Sequence, residues 1–405
     1  MKTIYLTYDG ILDPLGQSQI LPYLRHTRSY VSLLHILSFE KYKKTDEMYL
    51  KQANELKDLK ISWTSSKFTP SGNILFKLND FIKFNFIFLY ICFKERPDIV
   101  HARGHPVALF ALIYKRIFRF KLLFDYRGIW ADERVAKGSW DLSKKIDLFF
   151  YNLFVRLEKV LINQSDHIIV LTKAVKKKII AETSKDDLCF TVIPCATDFS
   201  LFNIKKPLFK KDSQELVLGF LGSVGPAYQF SFYLKILSEC KKKHINFRGL
   251  VLTNNLDEAE DQICKLGDKN ISKCIKVVQT DRFNVPKYIN EMSFLLSFYT
   301  PFKSIIGTSP VKISEALACG VPVIANSGIG DIDEILKELN AGLILSSYTS
   351  DGIAEAVHHF EKHYTYNASL IRESSRLIYD LKYANKNYKK AYNLIEDMIK
   401  NPSAS

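Results

Sequence analysis

The chain has 405 residues, 47% of them apolar and 25% charged, an ordinary globular composition that excludes long disorder and, at roughly 150 residues per domain, suggests two or three domains. Lys plus Arg number 57 against 43 for Asp plus Glu, a net charge of +14; the excess fits nucleic acid, an anionic membrane surface or phosphorylated small molecules, and does not choose among them. Seven scattered cysteines without a C-x-x-C pair exclude a disulfide framework and a Cys-based zinc site, and fit a reducing compartment.

The first apolar run, 3–8, is too short for the core of a secretion signal and ends at Asp9, so a cytoplasmic chain is expected. It reads as a strand. The loop Asp9-Gly-Ile-Leu-Asp-Pro-Leu-Gly16 follows and opens an amphipathic helix over 17–30. It is not a G-x-G-x-x-G fingerprint, which leaves a nicotinamide or flavin site without its main support. Further strands are expected at 31–38, 98–102, 121–126 and 167–171, and helices at 74–93, 107–117 and 144–161. The stretch 75–93 is the most lipid-like. Lys77, Asn79, Asp80, Lys83 and Asn85 interrupt it, so no spanning helix is expected there. Its mixture of Phe and Lys, with Arg116–Lys121 nearby in sequence, suits anionic lipid headgroups. A core helix with solvated lysines explains it equally well.

Two strand ends carry polar clusters. Asp98-Ile-Val-His101-Ala-Arg103-Gly-His105 is one, and Asp125-Tyr-Arg127-Gly128 the other, followed by Trp130-Ala-Asp132-Glu133-Arg134. Arg103 or Arg127 offers a planar fork to a phosphate or an acceptor anion. Asp132 and Glu133 are placed to orient an acceptor hydroxyl, with a solvated, ion-paired loop as the plain alternative.

The polar, basic stretch 198–214 breaks the rhythm and marks a junction between an N-terminal domain, 1–200, and a C-terminal domain, 215–375. The alternation restarts with strands at 216–220, 247–252, 275–278, 294–298, 321–325 and 343–345, and 351–400 reads as helical, its end (376–405) crossing back to the first domain. Such alternation implies two Rossmann-like, doubly wound α/β domains with parallel sheets. Ligands of these sheets bind at the carboxyl ends of the strands, and two facing domains would make a cleft.

Residues 307–334 read GTSPVKISEALACGVPVIANSGIGDIDE. Ser309 is placed as an N-cap, Pro310 at the first helical position and Gly320 as the stop, which brackets a helix over 310–319. Its N-terminus, with Thr308 and Ser309 leading into it, suits a phosphate. Lys312 in the first turn opposes the helix dipole, so a nearby anion would explain it. Glu315, one turn on, is placed to accept hydrogen bonds from ribose hydroxyls. A capped surface helix with a Lys–Glu pair is the bland alternative. Asp331-Ile-Asp-Glu334 has the pattern of a capping box.

Glu315-Ala-Leu-Ala-Cys-Gly-Val-Pro-Val-Ile-Ala, followed by Ser327-Gly-Ile-Gly330, resembles the donor-binding signature of retaining glycosyltransferases of family 4, which have the GT-B fold. The resemblance implies that Glu315 binds the ribose of a nucleotide-diphosphate sugar. Where the family commonly has an earlier Glu against the donor sugar, this chain has Gly307. Leu218-Gly-Phe-Leu-Gly222-Ser223 is similar to the family's first strand and loop of the nucleotide domain. The basic residues that often follow there are missing from Ser223–Gln229, so charge for the diphosphate is expected from Lys312 first, then Arg282, Lys303 or the other domain. The loop ending in Gly16 is similar to the family's first loop, whose glycine lets the backbone approach donor and acceptor. The resemblance also places a His near the reacting sugar, with His101, Arg103 and His105 all open for that position.

The expected activity is transfer of a hexose from a nucleotide-diphosphate sugar to a hydroxyl of a sugar or lipid-linked acceptor, with retention, in polysaccharide or glycolipid synthesis. No metal or other cofactor is expected, since no His/Asp cluster has ligand spacing, and no nucleic acid partner, since no dense basic stripe is present. The expected location is the cytoplasm, peripherally on the membrane. A nucleotide-sugar epimerase of the same fold and a non-catalytic sugar-nucleotide-binding subunit are the competing readings.

Overall fold

The computed structural model describes residues 1–69, 74–204, 215–362 and 366–401, and only the backbone of Ile74, Leu75 and Lys77. The chain divides into two units. The first holds 1–131, 140–194 and the chain from Leu381 on, the second 132–139 and 195–380.

The strands of the first unit are β1 (Lys2–Thr7), β2 (Leu33–Glu40), β3 (Ser62–Lys67), β4 (Ile99–Arg103), β5 (Lys121–Tyr126), β6 (His167–Val170) and β7 (Phe190–Val192), most of them short apolar runs. They pair in parallel, in the order β3-β2-β1-β4-β5-β6-β7. Tyr5 of β1 stands between Ile36 and His101. All five residues of β4 are buried, as expected of a parallel strand covered on both faces. Right-handed crossovers place the helices Ile74–Glu95, His105–Phe118 and Lys145–Gln164 on one face of the sheet. The helix Leu381–Lys400 packs against Leu21–Thr27, with Tyr388 5.0 Å from Tyr23 and Tyr392 5.4 Å from Tyr30, ring to ring.

The second unit holds β8 (Leu216–Leu221), β9 (Phe247–Leu252), β10 (Ile275–Val278), β11 (Phe294–Ser297), β12 (Val323–Asn326) and β13 (Gly342–Leu345), parallel in the order β10-β9-β8-β11-β12-β13. The helix Val311–Ala318 buries Ile313, Ala316 and Leu317 in a core shared with Leu250, Leu295 and Val323. Two doubly wound parallel α/β sheets are therefore the architecture, as the strand–helix rhythm implies.

Several elements differ from the sequence reading. The strand β3, SWTSSK, has no apolar alternation; among the described residues it is an edge strand pairing only with β2, with Trp63 stacked on Tyr49 at 4.4 Å. The helix expected over 17–30 is two, Pro14–Gln19 and Leu21–Thr27, broken at Ile20 (φ −125°, ψ −65°). Pro22 has no N–H to continue the ladder. Of the junction placed at 198–214, residues 205–214 lie outside the described residues. Its described part packs with the second unit, where Phe199 and Phe202 are buried in the core.

Arg372, on the helix Ala368–Tyr379, ties this segment to the helix Val311–Ala318. Its guanidinium donates to the carbonyls of Phe199 (2.7 Å) and Phe202 (2.6 Å) and to that of Ala318, a last-turn carbonyl with no helical partner. The side chain is only 12% exposed. Arg372→Ala leaves three carbonyls unmatched, and chemical denaturation is expected to show a loss of about 2–3 kcal/mol. Lys, a point charge without the fork, restores only part of it.

Candidate functional site

The candidate site of the second unit is built where β8 and β11 end and the helix Val311–Ala318 begins. Gly222, just after β8, has φ 115°, a conformation glycine adopts without strain. A Cβ there would stand 3.4 Å from Nζ of Lys312. That ammonium is shielded from solvent and has no hydrogen-bond acceptor among the described residues. It lies instead over three rings: Tyr228 at 4.4 Å, Tyr299 at 5.0 Å and Phe220 at 5.3 Å from the ring centres. Aromatic faces attract a cation but do not replace its hydration. Burial pushes the Lys312 pKa down to about 7, partly offset by the Glu315 carboxylate.

Glu315 sits one turn along, 6% exposed. Its Oε1 accepts from Nη1 of Arg282 at 2.9 Å, and Arg282 in turn lies 5.2 Å over the ring of Phe202. Burial raises the Glu315 pKa, while Arg282 and then Lys312 pull it back. Lys312, Glu315, Arg282 and Gly222 are thus brought together. Ser223 serves the turn itself, its Oγ accepting from the Gly225 amide at 3.2 Å. Gly307, at the position of the family's earlier acid, is buried at the end of the short 3-10 helix Lys303–Gly307, and Thr308 follows it. Lys303 is exposed.

Two capping expectations need correction. Pro310, not Ser309, is the cap of Val311–Ala318, in extended conformation (φ −72°, ψ 118°), and no side chain caps it. The Ser309 hydroxyl is spent on the Cys195 amide, from which it accepts at 3.1 Å. One turn on, the Ser314 hydroxyl is 2.6 Å from that of Thr197. Both bonds seat the helix on the segment 195–197. The first-turn amides of Val311 and Lys312 have no intrahelical acceptor by position, so this end suits an anion. Asp331 caps Ile332–Glu338 without a side-chain capping bond, so the capping box does not form. Asp333 instead closes the glycine turn, accepting from Ser327 Oγ (2.6 Å) and the Gly328 amide (3.1 Å).

In the first unit the strand-end residues converge on Asp125, which is fully buried. Arg103 Nη1 reaches it at 3.3 Å and Arg127 Nη1 at 3.2 Å, and His101 Nε2 is 3.7 Å away. Burial would raise the Asp125 pKa, but Arg127, His101 and Arg103 hold it well below the carboxylate range. Burial keeps the His101 pKa low, and its Nδ1 is 3.0 Å from the hydroxyl of Tyr392. The forks of Arg103, 3% exposed, and Arg127 are therefore directed at Asp125. His105 stands apart, 2.8 Å from Glu158 and edge-on to Tyr126. Asp132 and Glu133 lie in the first turn of Trp130–Ala136, with Glu133 3.1 Å from Lys137.

The loop ending in Gly16 is folded on itself. A Cβ on Gly16 would come within 2.2 Å of the Gly10 carbonyl oxygen, so glycine is needed there for the loop's own packing. Glu40, which sequence reasoning missed, anchors this loop. It is buried and accepts from the amides of Ile11 (2.7 Å) and Leu12 (3.4 Å). Asp125 and the rings of Tyr228 and Tyr299 were also missed. Asp125 stands in the quoted Asp125-Tyr-Arg127 strand end, a signal that was available; the two tyrosines carry none. Among the described residues no three His, Cys, Asp or Glu side chains converge to hold a metal ion.

The lysine has a measurable cost. Below pH 7 the folded chain holds Lys312 charged and without an acceptor, and the cost is complete. Between pH 7 and the ordinary lysine range near 10.5, the unfolded chain binds more protons than the folded one, so stability recovers as pH rises. Lys312→Met is expected to raise the melting temperature more at pH 6 than at pH 9, in paired thermal melts.

The description "Glycosyl transferases group 1" matches residues 202–376, and "Glycosyltransferase Family 4" matches 67–201. No curated protein matches in sequence. Among solved structures, the Anabaena protein HepE in complex with UDP and glucose has a TM-score of 0.67 at 15% identity, covering 97% of this chain and 99% of its own. Sucrose-phosphate synthase from Thermosynechococcus elongatus gives 0.71 at 13% identity, covering 98% and 100%. The lipopolysaccharide outer core galactosyltransferase WaaB gives 0.65 at 16%, covering 97% and 99%. Two glycosyltransferase domain families thus follow one another over residues 67–376 on this shared fold, and on that ground the chain is a glycosyltransferase of the GT-B architecture.

Proposed function

We propose that the second unit binds a nucleotide-diphosphate sugar and that the enzyme transfers its hexose, with retention of anomeric configuration, to an acceptor hydroxyl in polysaccharide or glycolipid synthesis. The observation that carries the reading is the buried Lys312 ammonium, without an acceptor, beside a helix N-terminus and one turn from Glu315. A diphosphate supplies the missing partner. In this scheme the C–O bond from the anomeric carbon to the leaving diphosphate breaks, negative charge gathers on the phosphate oxygens, the acceptor oxygen bonds to the anomeric carbon, and its proton passes to the leaving diphosphate. The Lys312 ammonium and the first-turn amides stabilise that charge and are fixed in place before it develops. Glu315 gives one oxygen to Arg282 and the other to a ribose hydroxyl. Gly307 carries no carboxylate toward the sugar, so sugar recognition falls to other groups. The scheme uses no metal ion.

His101, Arg103, His105 and Arg127 of the first unit, with Asp132 and Glu133, belong to the acceptor side in this reading. A lipid-linked acceptor would place the enzyme peripherally on the cytoplasmic membrane face. The complexes of HepE with UDP and glucose and with UDP-glucose make UDP the first ligand and UDP-glucose the first donor to test.

Transfer assays carry the tests. Glu315→Ala should weaken nucleotide binding, read by thermal shift, and lower kcat/KM about 10- to 100-fold. Lys312→Ala should lower kcat about 100- to 1,000-fold. Unchanged transfer in either variant removes the assignment. The anomeric configuration of the product, read by NMR, decides retention. Altered donor released without acceptor would mark an epimerase.

A further inference from the structure

Three neighbouring helices of the first unit, Ile74–Glu95, His105–Phe118 and Lys145–Gln164, share one face of the sheet. Their inner sides are packed: Phe84 and Phe88 are fully buried, and Phe88 meets Tyr114 edge-on at 5.8 Å. Their outer sides should then be polar, and they are not. Phe86 is 68% exposed, Tyr90 66%, Phe93 64%, Ile113 61%, Ile117 67% and Phe149 62%. Positions 82, 86, 90 and 93 recur at helical spacing, so these side chains form one stripe along the first helix. Single exposed apolar residues are ordinary; a run of them over adjacent helices marks a binding face.

The exposed charges on the same helices are of one sign. Lys83, Lys94, Arg116, Lys145, Arg156 and Lys159 are exposed. The acidic residues are Asp80, Glu95, Asp147 and Glu158, and none is exposed. Each is engaged inward or locally. Asp80 accepts from the Thr69 amide, Asp147 from the Asp141 amide, Glu158 pairs with His105, and Glu95 lies 3.8 Å from His35 and 3.6 Å from Lys94. We infer that this three-helix face docks on an anionic lipid bilayer, with the exposed rings entering the headgroup boundary and the lysines and arginines meeting lipid phosphates.

A second copy of the chain is the less suitable occupant. A twofold contact sets a surface patch against itself, and here it would oppose two sets of exposed cations. An anionic bilayer accepts both features at once: ring burial and charge attraction add for a helix lying in the interface. The inference concerns the first unit alone and does not depend on the nucleotide site.

The test is co-sedimentation of the full chain with phosphatidylglycerol–phosphatidylcholine vesicles and with phosphatidylcholine vesicles, at low and at high salt. Two double variants accompany it: Lys83→Glu with Arg116→Glu, and Phe86→Ser with Tyr90→Ser. All four side chains are exposed, so unchanged thermal melts and an unchanged UDP-induced shift are the control for folding and for the donor site. The expected result is partition into anionic vesicles that falls with salt and drops about tenfold or more in each variant. Equal pelleting with both vesicle types, or variants that pellet like the parent, overturns the proposal. So does a solution dimer, seen by sedimentation velocity, that the Ser variant dissolves while the parent ignores anionic vesicles.

Discussion

The second unit is organised around one unmet charge. Lys312 holds its ammonium among Phe220, Tyr228 and Tyr299, next to a glycine whose missing Cβ makes the room. A buried cation on aromatic faces alone is a poor bargain for stability, because the rings return only part of the lost hydration. Folding tolerates it only if the surroundings are otherwise secure. The arrangement has a chemical use: a site that already holds a desolvated cation needs no reorganisation when negative charge arrives.

The neighbouring groups supply that security. The helix bearing Lys312 is fixed at three levels. Ser309 accepts from Cys195 at its start, Ser314 meets Thr197 in its first turns, and Arg372 closes the carbonyl of Ala318 at its end. Glu315 is locked by Arg282, which is itself seated on Phe202. The glycine turn after β12 is closed by Asp333. Most of these bonds use groups that a helix end or turn would otherwise leave without partners. Stability and site geometry are therefore served by the same contacts.

What was legible in the sequence follows from burial. Strands such as Lys121–Tyr126 and Phe247–Leu252 are apolar runs in the sheet interior, and the reading placed their bounds as observed. SWTSSK was not legible, because an edge strand needs few apolar residues and is defined by its neighbour. Pro22 breaks a helix whose amphipathic pattern runs straight through it. Lys312 and Glu315 were legible because local spacing puts them one turn apart on a bracketed helix. The tyrosines around Lys312 were not: Tyr228 and Tyr299 are 71 residues apart in sequence and meet across an antiparallel bridge of their own, beyond the ends of the paired β8 and β11. Ser309 shows the limit of local rules. Its hydroxyl suits a cap, yet a distant amide, that of Cys195, needed an acceptor and took it.

The two polar clusters differ in a way that bears on their roles. In the first-unit cluster each charged strand-end group faces an opposite charge. Asp125 is shared by Arg103 and Arg127, with His101 beside it, and His105 has Glu158. Such a network is rigid and gains little from an added anion, since each new contact must first displace an old one. In the second unit Glu315 is partnered, but Lys312 is not, and a phosphate that reaches it breaks no hydrogen bond of the ammonium. An anion should therefore bind where desolvation has already been borne and the counter-charge is missing. The first-unit cluster is suited to holding strand ends and loops in register, while the region of Lys312 is suited to taking up a ligand's charge.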